Sequence, residues 1–429
     1  MKKRHCAVLL AFGILWAGCG AKDALPSAEW EKPETETVLA GTGTEEAESL
    51  SAVRDAGYGI SITGQKKSPC YYSKKDPSVL VLEASAAYPK IEIEGNAAAS
   101  DKINAVISSE LDTFLNFEKE NASNAEEEYL TSLDFSDASF TAYRADFSYL
   151  LKRCDDSIIS IVFSQDDFTG GAHGSHWSYG VTFDTATGER IYLENLGADY
   201  TAFRQMLSDN LNAQANLPAY ENFISTDTSP DINTALLSNS TSWYLDRSGL
   251  TFISNPYVLG SYAAGIFEFN IPYKDLDGLK DAYAYKGSYI CKIFPGVPAQ
   301  RDLCGSGTDD EICYSVLPKE DSLENAVPSL IINGTDFSEE LSELRLSHPQ
   351  TGAYFLVDID PEDSLTEIAV SNENPEHPSE ACTHFFRYEK DRLTYLGNTS
   401  GIFSEDMQVR YNSNGNLILL DRNGAPFTP

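Results

Sequence analysis

From Phe140 to Leu193 the chain alternates apolar and polar residues over runs too long for turns and interrupted too briefly for helices. FTAYRADFSYLLKRCDDSIISIVFSQDDF reads as two long strands, and WSYGVTFDTATGERIYL as a hairpin turning at Ala186-Thr187-Gly188. Strands joined by short turns pair antiparallel, so this segment commits the fold to an antiparallel sheet. The flanks supply its cover. VLVLEASAAYPKIEIEG alternates as one or two further strands. In AASDKINAVISSELDTFLNFEKENA, residues Ile103, Val106, Ile107, Leu111, Phe114 and Phe117 fall at helical spacing, with Ser100 or Asp101 as cap. YTAFRQMLSDNLNAQAN is a second helix, and SWYLDRSGLTFISNPYVLG and GIFEFNIPYKDL add strands. The expected class is α+β, an antiparallel sheet with helices on one face. Short strands separated by Gly, Asn, Asp and Pro turns follow from about residue 305, a small mostly-β domain over 305–429.

The ends and the charge bear on location. Lys2, Lys3 and Arg4 precede an apolar run, Ala7 to Trp16, too short to span a bilayer, and then Ala17, Gly18 and Cys19. This resembles a bacterial lipoprotein leader over 1–19, which implies lipidation at Cys19 and an extracytoplasmic, lipid-anchored protein. Residues 20–75 read as a polar, disordered tether. Two folded α+β segments are expected next, 76–155 and 156–290. The chain carries 31 Lys and Arg against 65 Asp and Glu, a net charge of -34. Such a balance excludes nucleic acid and anionic lipid surfaces as partners and favours a cationic one. Beyond Cys6 and Cys19 six cysteines remain, and Cys291, Cys304 and Cys313 lie close enough in sequence to suggest at least one disulfide.

FTGGAHGSHWSYG, residues 168–180, is the densest candidate motif. A phosphate loop requires Lys-Ser or Lys-Thr and a helix after the glycines, and a nucleophile elbow requires Gly-x-Ser-x-Gly; neither is present. His173 and His176 are three apart, a helical ligand spacing in a segment that reads as strand and turn. No residue is assigned as catalytic. An envelope hydrolase or deacetylase using His173 with Asp166 or Asp167 is the alternative to a structural role, in which Gly170, Gly171 and Gly174 bend the chain and His173 fixes the bend.

The Gly-Gly-Ala-His-Gly core, Tyr179, FDTATGERIYLENL and the distal NPYVLGSYAAGIFEFNIPY together resemble the domain of unknown function found in the extracellular part of the anti-sigma-V factor. YPKIEIEGNAAASDKINAVI resembles the small domain that precedes it, and the pair also stands ahead of peptidoglycan deacetylase domains. The resemblance spans roughly residues 78–288. It implies a sensing or binding module for a lysozyme-like cationic protein or a wall component, with Gly170, Gly171, His173, Gly174, Tyr179, Tyr257 and Tyr262 as motif or ligand-binding residues. The membrane-spanning and sigma-binding segments of the anti-sigma relative, and the metal motifs of the deacetylases, have no counterpart in the sequence.

VDIDPEDSLTEIAV places Asp358, Asp360, Asp363 and Glu367 in one acidic turn, the oxygen-rich pattern that cages calcium. Residues 352–400 resemble an FG-GAP or VCBS-type repeat, with Glu362 and Asp363 standing where that loop has Asp-Gly. Calcium is the one cofactor expected. The resulting expectation is a lipid-anchored binding protein of the bacterial envelope.

Overall fold

The computed structural model describes residues 59–134, 140–224, 232–238, 242–319, 322–342, 353–360, 362–372, 381–405, 407–420 and 426, with two short strands before them. The proposed leader, and Cys19 with it, lies outside the described residues. Among the described residues no helix is long and apolar enough to cross a membrane.

The first sheet has nine strands. They are β1 Glu48–Ser49, β2 Arg54–Asp55, β3 Ile60–Lys67, β4 Cys70–Tyr72, β5 Leu80–Ile93, β6 Tyr143–Cys154, β7 Ile158–Phe168, β8 Ser175–Asp184 and β9 Arg190–Ile191. The segment expected to be a tether thus contributes strand β3, which pairs with β5 along its length. The hairpin turn forms as expected: Gly188 takes φ +70° and its N–H reaches Asp184 O at 2.8 Å. The expected boundary at 155/156 falls inside the β6–β7 hairpin, so one sheet runs across it.

One pairing departs from the antiparallel expectation. Strands β5 and β6 run parallel, with Leu82 opposite Tyr143 and Ala84 opposite Ala145. Parallel neighbours need a long crossover, and α1, Ala97–Ser132, provides it. Its 36 residues extend roughly 54 Å at 1.5 Å per residue. The cap is Asn96, whose side chain accepts from Ala99 N, not Ser100 or Asp101. Ser100 is instead buried in the first turn, where its hydroxyl accepts from Ile93 N at 2.8 Å. Ile103, Ile107, Leu111 and Phe114 bury against Ala84, Ala86, Phe147 and Phe163 of the sheet.

The other sheet face is covered separately. A three-stranded sheet of β10 Trp243–Leu245, β11 Gly249–Ser254 and β12 Phe267–Pro272 builds a second core with α2 Leu193–Leu196 and α3 Tyr200–Ala215. Ile158 belongs to this core while its neighbour Ile159 belongs to the first, as alternation along a strand requires. The helices are therefore divided between the two faces. Asp199 caps α3 through Thr201 N and Ala202 N.

The remaining chain is mostly β, as expected, but begins earlier, at Ile290. One sheet holds β13 Ile290–Ile293, β18 Tyr354–Val357, β19 Glu367–Asn372, β20 Cys382–Glu389 and β21 Arg392–Ser400. The other holds β14 Ala299–Arg301, β15 Asp310–Lys319, β16 Ser322–Ile332 and β17 Thr335–Asp336, followed by the short α4 Ser338–Ser342. Tyr314 and Tyr354 stack between them at 3.6 Å. The hairpin of β22 Gln408–Tyr411 and β23 Leu417–Leu420 covers the opposite face through Val409, Leu417 and Leu419.

No disulfide joins the described cysteines, contrary to expectation. Cys291 sits on β13 and Cys313 on β15, in different sheets, and burial pushes the Cys291 thiol up to about 12. Reductant should therefore leave the melting temperature unchanged. A fall of several degrees in dithiothreitol would contradict the free-thiol arrangement.

Candidate functional site

The two longest strands lose their apolar character at the same end. In β7 the run Ile158–Phe163 is fully buried, and Ser164, Gln165, Asp166 and Asp167 follow. In β8 the polar Ser175, His176 and Ser178 come first, with the exposed Trp177 among them, before the buried Gly180–Phe183. Their register sets Asp166 opposite His176 and Ser164 opposite Ser178, all on the face that α1 does not cover.

Between the strands, residues 169–174 form the loop that carries the motif. Gly170 and Gly171 take φ +83° and +93°, conformations that a Cβ disfavours. At Gly174 a Cβ would stand 2.6 Å from Asp167 O. The three glycines thus shape the turn. His173 is exposed at its tip, with Nδ1 2.7 Å from Gly174 O. Its ring stacks on Tyr262 at 4.0 Å and 19°. Tyr262 in turn lies 5.9 Å from Tyr257, which is 63% exposed and holds φ +68°. A non-glycine residue in that region costs about 1–2 kcal/mol and persists where its surroundings impose it.

The clamp that brings these residues together is Asn255, which sequence reading missed. Its Oδ1 accepts from Ser178 N at 2.7 Å and its Nδ2 donates to Ser178 O at 2.8 Å. A buried side-chain amide so replaces a missing ladder partner and pins the loop carrying Tyr257 and Tyr262 to β8. Its only signal in the sequence was its place in the NPYVLGSYAAGIFEFNIPY segment, which assigned Asn255 itself no role. Tyr179, grouped with these residues by resemblance, faces the other way: its hydroxyl donates to Glu110 at 3.1 Å beside Phe163.

The carboxylates near the motif are engaged away from His173. Asp166 Oδ1 meets His176 Nδ1 at 2.5 Å, His176 Nε2 meets Ser178 Oγ at 3.0 Å, and Ser178 Oγ meets Ser164 Oγ at 2.7 Å. The order matches a Ser–His–Asp relay. The Ser178 side chain is buried, however, and its main-chain N–H, a usual oxyanion donor, is bound to Asn255. The chain acts as a polar ladder stiffening the rim. Asp167 lies on the α1 side, where Gln165 donates to it at 3.0 Å.

The acidic turn at 358–367 is occupied by protein groups. Glu367 is fully buried; Oε1 pairs with the Arg387 guanidinium and Oε2 accepts from Ile359 N at 3.2 Å. Arg387 also lies 3.6 Å from Asp363, while Asp360 and Asp363 accept N–H groups of Glu362 and Leu365. Only Asp358 keeps a buried oxygen without a partner. A guanidinium therefore supplies positive charge at two of the four expected calcium ligands.

Residues 78–176 match a family model described as deacetylase PdaC, and residues 194–274 match one described as a protein of unknown function, DUF3298. The two matches follow one another along the chain. A crystal structure of a DUF3298 family member from Bacteroides fragilis NCTC 9343 is 18% identical, covering 51% of this chain and 93% of that one, at a TM-score of 0.38. A DUF3298 family protein from Pseudomonas aeruginosa PAO1 is 16% identical, covering 52% and 96%, at a TM-score of 0.35. No curated protein matches the chain. The PdaC match ends at His176 and contains His173, while the DUF3298 match contains Asn255, Tyr257 and Tyr262. The rim is thus the place where residues of the two matched segments meet.

Proposed function

We propose that this protein is a lipid-anchored binding protein of the bacterial cell envelope whose ligand is a cationic protein, lysozyme-like in charge, or a wall component. Cys19 is its proposed attachment point. The observation that carries the reading is the rim where exposed His173 stacks on the half-buried Tyr262, next to the exposed Tyr257 in its strained backbone, assembled from both matched segments. Aromatic faces at a surface suit a Lys or Arg side chain through cation–π attraction. The net charge of -34 would steer a basic partner to the surface and speed its encounter.

Calorimetric titration of the purified protein with lysozyme, at low and moderate salt, tests this. Binding that weakens with salt is expected. Absence of binding to lysozyme, other basic proteins and wall fragments would remove the reading. His173→Ala should weaken that binding about tenfold, the equivalent of about 1.4 kcal/mol. Its melting temperature should stay within a degree or two, because the ring is exposed. A large fall in melting temperature with binding intact would make His173 purely structural.

A further inference from the structure

A nucleophile and a base meet outside both matched segments, at the start of β20. Cys382 and His384 are two apart on one strand, so their side chains share a face. Cys382 Sγ lies 3.3 Å from His384 Nε2. On the far side of the ring, His384 Nδ1 meets Tyr395 Oη of β21 at 3.1 Å, and Asn398 Nδ2 donates to the same oxygen at 3.1 Å. That oxygen has a second lone pair for Nδ1–H, and the tautomer protonated at Nδ1 leaves Nε2 free to accept from the thiol. Cys382 also stands opposite Asn372 on β19, whose side chain hydrogen-bonds the sulfur.

Depth divides the roles. His384 is 8% exposed, whereas Cys382 is half-buried and Tyr395 is exposed. A base screened from water therefore stands behind a thiol that keeps part of its surface. Burial raises the Cys382 thiol and lowers the His384 imidazole, so the pair rests uncharged. The nucleophile forms as the sulfur attacks and its proton passes to Nε2, the way an adjacent base activates a weak nucleophile. Four other described cysteines are placed differently. Cys70 and Cys313 are raised by burial and then by the carboxylates of Glu83 and Glu311. Cys304 Sγ donates toward Asp302, and burial pushes Cys291 up to about 12. A neighbouring carboxylate disfavours a thiolate, whereas an imidazole and an amide donor favour its formation.

We propose that Cys382 forms mixed disulfides with low-molecular-weight disulfides, with His384 as its general base and Tyr395 as the residue that positions the imidazole. The Cys382 sulfur attacks one sulfur of R–S–S–R, and the new S–S bond forms as the old one breaks. The thiol proton moves to His384 Nε2 and from there to the departing thiolate, which leaves as RSH. The Cys382 sulfur is oxidised and the released sulfur is reduced, so the disulfide is the only oxidant consumed.

Treatment of the reduced full-length protein with cystamine, quenched at intervals and mapped by peptide mass spectrometry, reads the rate at each cysteine. Cystamine carries two amines, which a net charge of -34 does not repel. Cys382 should react about tenfold faster than the likewise half-buried Cys304. His384→Gln should remove that advantage and leave the Cys304 rate unchanged, with circular dichroism reporting the fold. Tyr395→Phe keeps the ring and removes only the hydroxyl. It should slow Cys382 severalfold with little change in melting temperature, and it decides the matter if His384→Gln does not fold. Cys382 reacting no faster than Cys304 would overturn the assignment. So would a Cys382 rate unchanged by His384→Gln or, where that variant does not fold, by Tyr395→Phe.

Discussion

Gly180→Ala should lower the unfolding free energy by about 3 kcal/mol. Gly180 stands in the middle of β8, opposite Val162, where a strand ordinarily prefers a side chain. A Cβ there would lie 1.8 Å from Trp243 O and 2.7 Å from Trp243 C. The obstacle is backbone, and it cannot rotate away as a side chain could. Trp243 belongs to β10, which is fixed by pairing with β11 and by the bond from Leu245 N to Ser160 Oγ at 3.1 Å. Adding one methyl group therefore forces β10 off the sheet. Gly171→Ala is the comparison: its φ is +93° but nothing lies within 4 Å, so only backbone strain of about 1–2 kcal/mol is expected. Urea unfolding of the two variants reads the difference. Equal losses would show that β10 does not dock as described.

Arg153→Ala should cost about 3–5 kcal/mol, because it strips a buried charge network of its cation. Arg153 is 2% exposed. Its Nε donates to Asp155 Oδ2 at 2.6 Å, its Nη1 to Tyr273 Oη at 2.7 Å and Tyr283 O at 2.6 Å, and its Nη2 to Ala284 O at 3.3 Å. One planar group thus joins the end of β6 to the segment after β12. Asp155, itself buried, would lose its only cationic partner among the described residues. Arg153→Lys should recover only part of the loss, since an ammonium cannot match the fork. Chemical denaturation measures both, and a loss below about 1 kcal/mol for Arg153→Ala would contradict the network.

Long-period signals were the legible ones. The α1 stripe, the α3 pattern and the hairpin at Gly188 each repeat or punctuate a run strongly enough to be read locally. The α+β class followed from them. The parallel β5–β6 pair did not, because pairing direction depends on where a helix delivers the chain. Strand β3 was hidden in a polar segment: ISITGQKK offers only Ile60 and Ile62 as buried residues, and β5 supplies the partner edge. Cysteine proximity in sequence misled, since neighbouring strands can belong to different sheets.

Within the candidate site the glycines and His173 stood out by composition, and the structure gives each glycine a backbone reason. Asn255 was illegible because its role lies in a contact 77 residues away. The end of the buried α1 stripe was missed differently. A periodicity search stops where apolar residues stop, whereas the buried face of α1 continues through Glu118 and Glu126. A carboxylate on that stripe looks like a solvated helix face until its depth is known.

The most direct test of the rim as a recognition surface is calorimetric titration of lysozyme into the wild-type protein and into Tyr262→Ala. Tyr262 is the ring shared by His173 and Tyr257, so its removal dismantles the stack without touching the Asn255 clamp. Wild-type binding reduced at least tenfold by Tyr262→Ala, with unfolding unchanged, is the predicted result. Equal affinity of the two proteins for lysozyme would contradict it and place any recognition elsewhere on the surface.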